Sequence, residues 1–195
     1  MHLANVVTSL FAGALTAQLA LAAGSVRGAE SDPLAELAQP GRVLLLRHAH
    51  APGVGDPPHF KLHDCRTQRN LDAAGRKQAA QLGERLRSAG VARAKVYSSQ
   101  WCRCLETARL LQLGSVSELP ALNSFYDRPQ DGDARISALR AFLAGLPVNG
   151  PPVVLVTHEV TIRALTGGRP AVGGGAILRL DGSRVPRIVA EIKEK

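Results

Sequence analysis

Val43-Leu44-Leu45-Leu46-Arg47-His48 is the stretch on which the reading of this chain turns. Four apolar residues in succession, without polar alternation, are what a strand needs when both faces of its sheet are covered. The run then stops on a guanidinium and an imidazole. Val153-Val154-Leu155-Val156-Thr157-His158 repeats the pattern near the other end of the chain, and Lys95-Val96-Tyr97-Ser98 is a shorter version between them. Amphipathic segments separate the runs. Asp72 is placed to cap a helix over 73–88, in which Ala79, Leu82 and Leu86 share one face and which Gly90 ends. Further helices are expected over 101–113, with Ser98 or Ser99 as cap, over 134–146 and over 160–165. Residues 51–64 carry Pro52, Gly53, Gly55, Pro57 and Pro58 and read as irregular, as do 114–133. Strands at 177–180 and 188–192 close the chain. The alternation is that of an α/β domain with a mainly parallel central sheet.

The chemistry sits where the strands stop. Ligand sites of open α/β sheets lie outside the carboxyl ends of the strands, so Arg47, His48, Arg103 and His158 are expected to converge there. Groups of cationic potential crowded into one crevice repel each other, and a bound phosphoryl group relieves this through charge-assisted Arg contacts. The start of the helix after Ser99 is expected to add backbone donors at the same edge.

The wider composition agrees with a small anion. The 195 residues are 45% hydrophobic and carry 24 Lys and Arg against 16 Asp and Glu, a formal charge of +8. With one Trp, two Tyr and four Phe, platforms for stacking unpaired bases are scarce, and no nucleic-acid partner is expected. Residues 1–24 contain no Asp, Glu, Lys or Arg, are dominated by Leu, Ala and Val, and end in small residues. They read as a signal peptide, with an uncleaved anchor as the rival. Residues 25–40 then form a linker and 41–195 the folded domain. The expected location is periplasmic or secreted, with no stable membrane insertion after signal cleavage. In such a compartment one pair of the cysteines can close, Cys65 with Cys102 or with Cys104. A zinc site among His48, His50, His59, His63, Asp64 and Cys65 is the competing reading. It lacks the spacing of a known finger or metalloprotease helix, and no metal or cofactor is expected.

Four stretches in order carry a resemblance. Leu45-Leu46-Arg47-His48-Ala49, Asn70-Leu71-Asp72-Ala73-Ala74-Gly75-Arg76-Lys77-Gln78-Ala79, Ser98-Ser99-Gln100-Trp101-Cys102-Arg103-Cys104-Leu105-Glu106-Thr107-Ala108 and Val156-Thr157-His158 resemble the successive motifs of the histidine phosphatase superfamily, which includes the phosphoglycerate mutases. Ala49 stands where Gly is frequent. The resemblance covers about residues 42–166 and, within that superfamily, is nearest to small exported members. It implies a three-layer α/β/α sandwich and a metal-independent phosphomonoesterase. His48 is then the nucleophile, Arg47 and Arg103 clamp the phosphoryl oxygens, and His158 hydrogen-bonds them. Arg69 is a further phosphate-binding candidate beside a solvated alternative, and Arg66 a weaker one. The family's Glu in a Leu-x-Glu context is replaced here by Leu122-Asn123-Ser124. Asp127 is therefore the first candidate general acid, with Glu159 and Glu118 behind it. The expected partner is a small phosphorylated substrate, cell-envelope sugar phosphates among them. Phosphohistidine protein and a non-catalytic phosphate-binding pocket remain as alternatives.

Overall fold

The structure, a computed structural model, describes residues 1–2, 32–184 and 186–193. The segment expected to direct export therefore lies outside the described residues, apart from its first two positions. Among the described residues no helix is long and apolar enough to cross a membrane.

Among the described residues six strands form one sheet: β1 (Arg42–Arg47), β2 (Lys95–Ser98), β3 (Val116–Glu118), β4 (Val153–Thr157), β5 (Gly175–Arg179) and β6 (Arg187–Ile192), in the spatial order β3-β2-β4-β1-β5-β6. The pairs β1–β4, β2–β4 and β2–β3 are parallel, whereas β1–β5 and β5–β6 are antiparallel. The sheet is thus mixed and mostly parallel, in line with the mainly parallel reading, with β5 and β6 added antiparallel at one side. β3 corrects the irregular reading of 114–133.

Helices α1 (Ala73–Ser88) and α2 (Cys102–Leu110) cover one face, and α3 (Gly132–Ala144) and α4 (Glu159–Thr166) cover the other. Side chains of β1 alternate between the two cores. Leu44 and Leu46 pack with Leu82, Leu86 and Leu111, while Val43 and Leu45 pack with Leu139, Leu143 and Ile162. The continuous apolar run follows from this arrangement, since each of its leucines is fully buried and each such burial stabilises by about 1.5–3 kcal/mol. The three layers match the expected sandwich.

α1 is built as its sequence requires. Asp72 Oδ1 accepts from the Gly75 N–H at 2.7 Å, Ala79, Leu82 and Leu86 are buried, and Gly90 leaves at a φ of 94°. Gly75 has a second duty: a Cβ there would meet the His50 carbonyl oxygen at 2.0 Å, so glycine lets the helix press against the loop that follows His48. The second helix is shorter than the expected 101–113 and is preceded by Trp101, without a side-chain cap. Neither Ser98 nor Ser99 is the cap, because the Ser98 hydroxyl bonds the Ser99 carbonyl and the Ser99 hydroxyl is taken into the site. The expected linker also ends early. Pro33–Ala38 form a 3-10 turn whose Leu34 and Leu37 are fully buried, so the folded domain begins ahead of residue 41.

Candidate active site

The parallel register Leu46↔Val156 and Arg47↔Thr157 brings the ends of β1 and β4 level, and the His48 N–H donates to the Thr157 carbonyl at 3.0 Å. His48 and His158 therefore emerge side by side, with ring centroids 5.5 Å apart. Arg47, His48, Arg69, Arg103, Asp127, His158 and Glu159 all line one pocket of about 390 Å³. The first-choice site residues, and Glu159 with them, are thus brought together. Glu118 is not: it lies on the edge strand β3 and accepts from Gln100 Nε2. Arg66 is exposed and paired with Asp64.

His48 Nδ1 lies 2.8 Å from the Ala49 carbonyl oxygen. A carbonyl only accepts, so Nδ1 carries the proton and Nε2 is left with its lone pair. Arg103 Nε donates to that Nε2 at 3.3 Å, and Arg103 Nη2 is 3.5 Å from His158 Nδ1. Thr107 holds the base of this arrangement. Its hydroxyl bonds the Arg103 carbonyl and receives the Ala49 N–H. On the far ring nitrogen of His158 sits the Ser99 hydroxyl at 2.8 Å, which in turn meets Asn123 Oδ1 at 3.2 Å.

Burial, then the Arg103 guanidinium, lowers His48 from the usual histidine range to about 3, with Arg69 and Arg47 adding to this and the Ala49 carbonyl opposing it. His158 is pushed well down by burial and then by Arg103. Both imidazoles are neutral near pH 7. The arginines are held differently. Arg69 donates to the Gly55 and Ala51 carbonyls, whereas Arg47 gives Nη1 to the Pro170 carbonyl and its buried Nε has no partner. The backbone donors expected at the start of α2 are partly closed off, because the Cys102 N–H donates to Gln68 Oε1 at 3.0 Å.

Sequence reasoning missed Asp56. Arg103 Nη1 lies 2.8 and 3.1 Å from its two oxygens, Trp101 Nε1 donates to it at 2.9 Å and the Arg69 N–H at 3.0 Å. Burial raises its carboxyl, but the bonds from Arg103, Arg69 and Trp101 outweigh this and hold it below the usual carboxylate range. Its only sequence signal was an acid enclosed by Gly55 and Pro57 just after a functional strand end. Asn123 was likewise unread, although it sits beside Ser124 in the stretch 122–124.

Cys65 and Cys102 are joined in a disulfide, one of the two pairings left open, and Cys104 is a buried free thiol. The zinc reading loses Cys65 to this bond. Burial raises the Cys104 thiol to about 12, so it is inert near neutral pH.

The fold that positions these residues is shared with solved structures. The putative phosphohistidine phosphatase SixA from Agrobacterium tumefaciens superposes with a TM-score of 0.54 at 20% identity, covering 80% of this chain and 99% of that one. A mycobacterial glucosyl-3-phosphoglycerate phosphatase superposes with a TM-score of 0.55 at 19% identity, covering 80% and 99%. An open reading frame product of Mycobacterium tuberculosis gives 0.58 at 19%, covering 78% and 97%. At these identities the likeness is one of fold. Residues 43–126 match the sequence model of the histidine phosphatase superfamily (branch 1), which covers less than half of the chain. No curated protein matches the chain significantly.

Proposed function

We propose that this chain is a phosphatase that hydrolyses phosphomonoesters through a phosphoryl group carried on His48, without a metal. One observation carries the reading: His48 turns an unprotonated Nε2 into a pocket walled by Arg47, Arg69 and Arg103. A neutral imidazole held well below its usual range is available as a nucleophile across the whole neutral region. Its Nε2 attacks phosphorus, the P–O bond to the leaving group breaks, and Arg47, Arg103 and His158, which takes up a proton on Nδ1 as the anion binds, hold the three remaining oxygens as charge moves onto them. Asp127 supplies the proton to the leaving oxygen, with Glu159 as the alternative, since both line the pocket. Water then attacks the phosphohistidine and releases inorganic phosphate.

The pocket lining supports a substrate class. Asp127 and Glu159 repel a second anionic group and accept bonds from hydroxyls, and Tyr126, 59% exposed, offers an aromatic face beside them. That combination suits a sugar phosphate better than a phosphorylated carboxylic acid. The Cys65–Cys102 disulfide suits an oxidising compartment, which supports a periplasmic or secreted enzyme acting on cell-envelope phosphates. Ser124 in place of the family's Glu favours a second reading, a phosphohistidine phosphatase, whose leaving imidazole demands less of a general acid.

The test is a brief quench of the purified protein with an aryl phosphate at pH 6. Acid-labile, base-stable phosphate on the wild type and none on His48→Ala is the expected result. An unlabelled wild type that also fails to hydrolyse sugar phosphates and phosphohistidine reduces the chain to a phosphate-binding module.

A further inference from the structure

We propose that Asp56 is a positioning residue of this site, one that orients Arg103 and offsets part of the positive charge that a bound phosphate meets. The inference rests on the phosphoryl-transfer reading above and deepens it.

Asp56 lies in the Gly- and Pro-rich loop after β1, yet its side chain is only 3% exposed, and that of Arg103 4%. A buried ion pair is seldom a gain in stability, because desolvation consumes most of the attraction. This pair also has a specific geometry. Both carboxylate oxygens fall on Arg103 Nη1 alone, so the guanidinium turns Nε towards His48 Nε2 and Nη2 towards His158 Nδ1. The carboxylate is itself fixed from two other segments, by the Trp101 indole N–H and the Arg69 backbone N–H. Asp56 thus ties the loop after β1 to the residues preceding α1 and α2, and holds the arginine that touches both histidines.

Charge gives the second role. Arg47, Arg69 and Arg103 bring three positive charges to the pocket wall, Asp56 pairs with one of them deep in the site, and Asp127 and Glu159 add carboxyl groups to the same pocket. Asp56 is thus the acid that directly offsets the guanidinium between the two histidines. Without Asp56 the wall would hold the ground-state anion more tightly while Arg103 lost its orientation.

The experiment compares Asp56→Asn and Asp56→Glu with the wild type, using inorganic phosphate binding by calorimetry and turnover of an aryl phosphate, with thermal midpoints as a check on folding. Asp56→Asn is expected to bind inorganic phosphate about tenfold more tightly, since a like charge has left the site. Its kcat is expected to fall about a hundredfold, the cost of a displaced catalytic contact. Asp56→Glu keeps the charge, so its phosphate affinity stays within about twofold of wild type while kcat recovers in part. Phosphate affinity unchanged or weakened in a folded Asp56→Asn protein, or kcat unchanged, overturns the assignment. If Asp56→Asn does not fold, Asp56→Glu decides: loss of phosphate affinity beyond about tenfold, with the charge retained, overturns it. A wild type without turnover defeats the phosphatase reading alone, and the phosphate affinities still judge Asp56.

Discussion

His48 and His158 meet edge to face, their planes inclined by 69°, and the single guanidinium of Arg103 reaches a ring nitrogen of each. Neither ring can take up a proton without facing that guanidinium and the other ring. The pair is therefore kept neutral by the same groups that would bind a phosphoryl oxygen.

A pH dependence of stability follows. For both histidines the folded value lies below the unfolded one, so below about pH 6.5 the unfolded chain binds more protons and stability falls as pH drops. The window for His48 runs from about 6.5 down to about 3. Between pH 7 and pH 5 its share of the loss is about 2 kcal/mol. Thermal midpoints of the unliganded protein should decline across that range, and bound tungstate, by drawing protons onto the imidazoles, should flatten the decline. A midpoint independent of pH from 7 to 5 contradicts the neutral pair.

Arg103→Ala and Arg47→Ala should each lower kcat/KM by about 10²–10³, the scale for removing one preorganised donor to transition-state charge. Arg103→Lys should not restore it, because an ammonium cannot serve His48, His158 and Asp56 from one planar fork. Arg66→Ala, on an exposed pair with Asp64, should leave activity at the wild-type level. Equal effects at Arg66 and Arg103 would point to general surface charge instead of a site.

The general acid can be separated by leaving group. Asp127→Asn should slow hydrolysis of an alkyl phosphate by about 10²–10⁴ and leave an aryl phosphate with an acidic phenol nearly untouched. If Glu159→Gln shows that selectivity and Asp127→Asn does not, the proton comes from Glu159 instead.

Thiol titration and reduction test the cysteines. The native protein should react with no thiol reagent, the denatured unreduced protein with one equivalent, from Cys104. Reduction of a bond closing a sequence separation of 37 residues should cost about 4 kcal/mol on the chain-entropy account, read as a lower urea midpoint. Two or three equivalents before reduction would show the bond absent.

Much of the frame was legible because burial leaves a signature in composition. Leu44, Leu45 and Leu46 are buried from both sides, so their strand appears as an unbroken apolar run, and Asp72 with Gly90 bounds α1 by local chemistry. β3 left no such trace: Val116, Ser117 and Glu118 are half-buried or exposed, and they form a strand only because β2 offers them a free edge. Asp56 was hidden for a related reason. Its position depends on the path of an aperiodic loop, and that path is set by Arg103 and Trp101 from a distant segment. His158 shows the opposite case. It lies beyond residues 43–126, where the family match ends, yet the β4 run that leads into it announced it.

The place of β4 in the sheet governs when the pocket can exist. A strand made late in synthesis inserts between two made early, β1 and β2. A nascent chain that has produced everything through α3 has all three pocket arginines but lacks the partner that levels His48 with His158. Such a contact-order-heavy assembly should fold slowly for its size, and activity should be the last property to appear on refolding, after helix content and after the first core have formed.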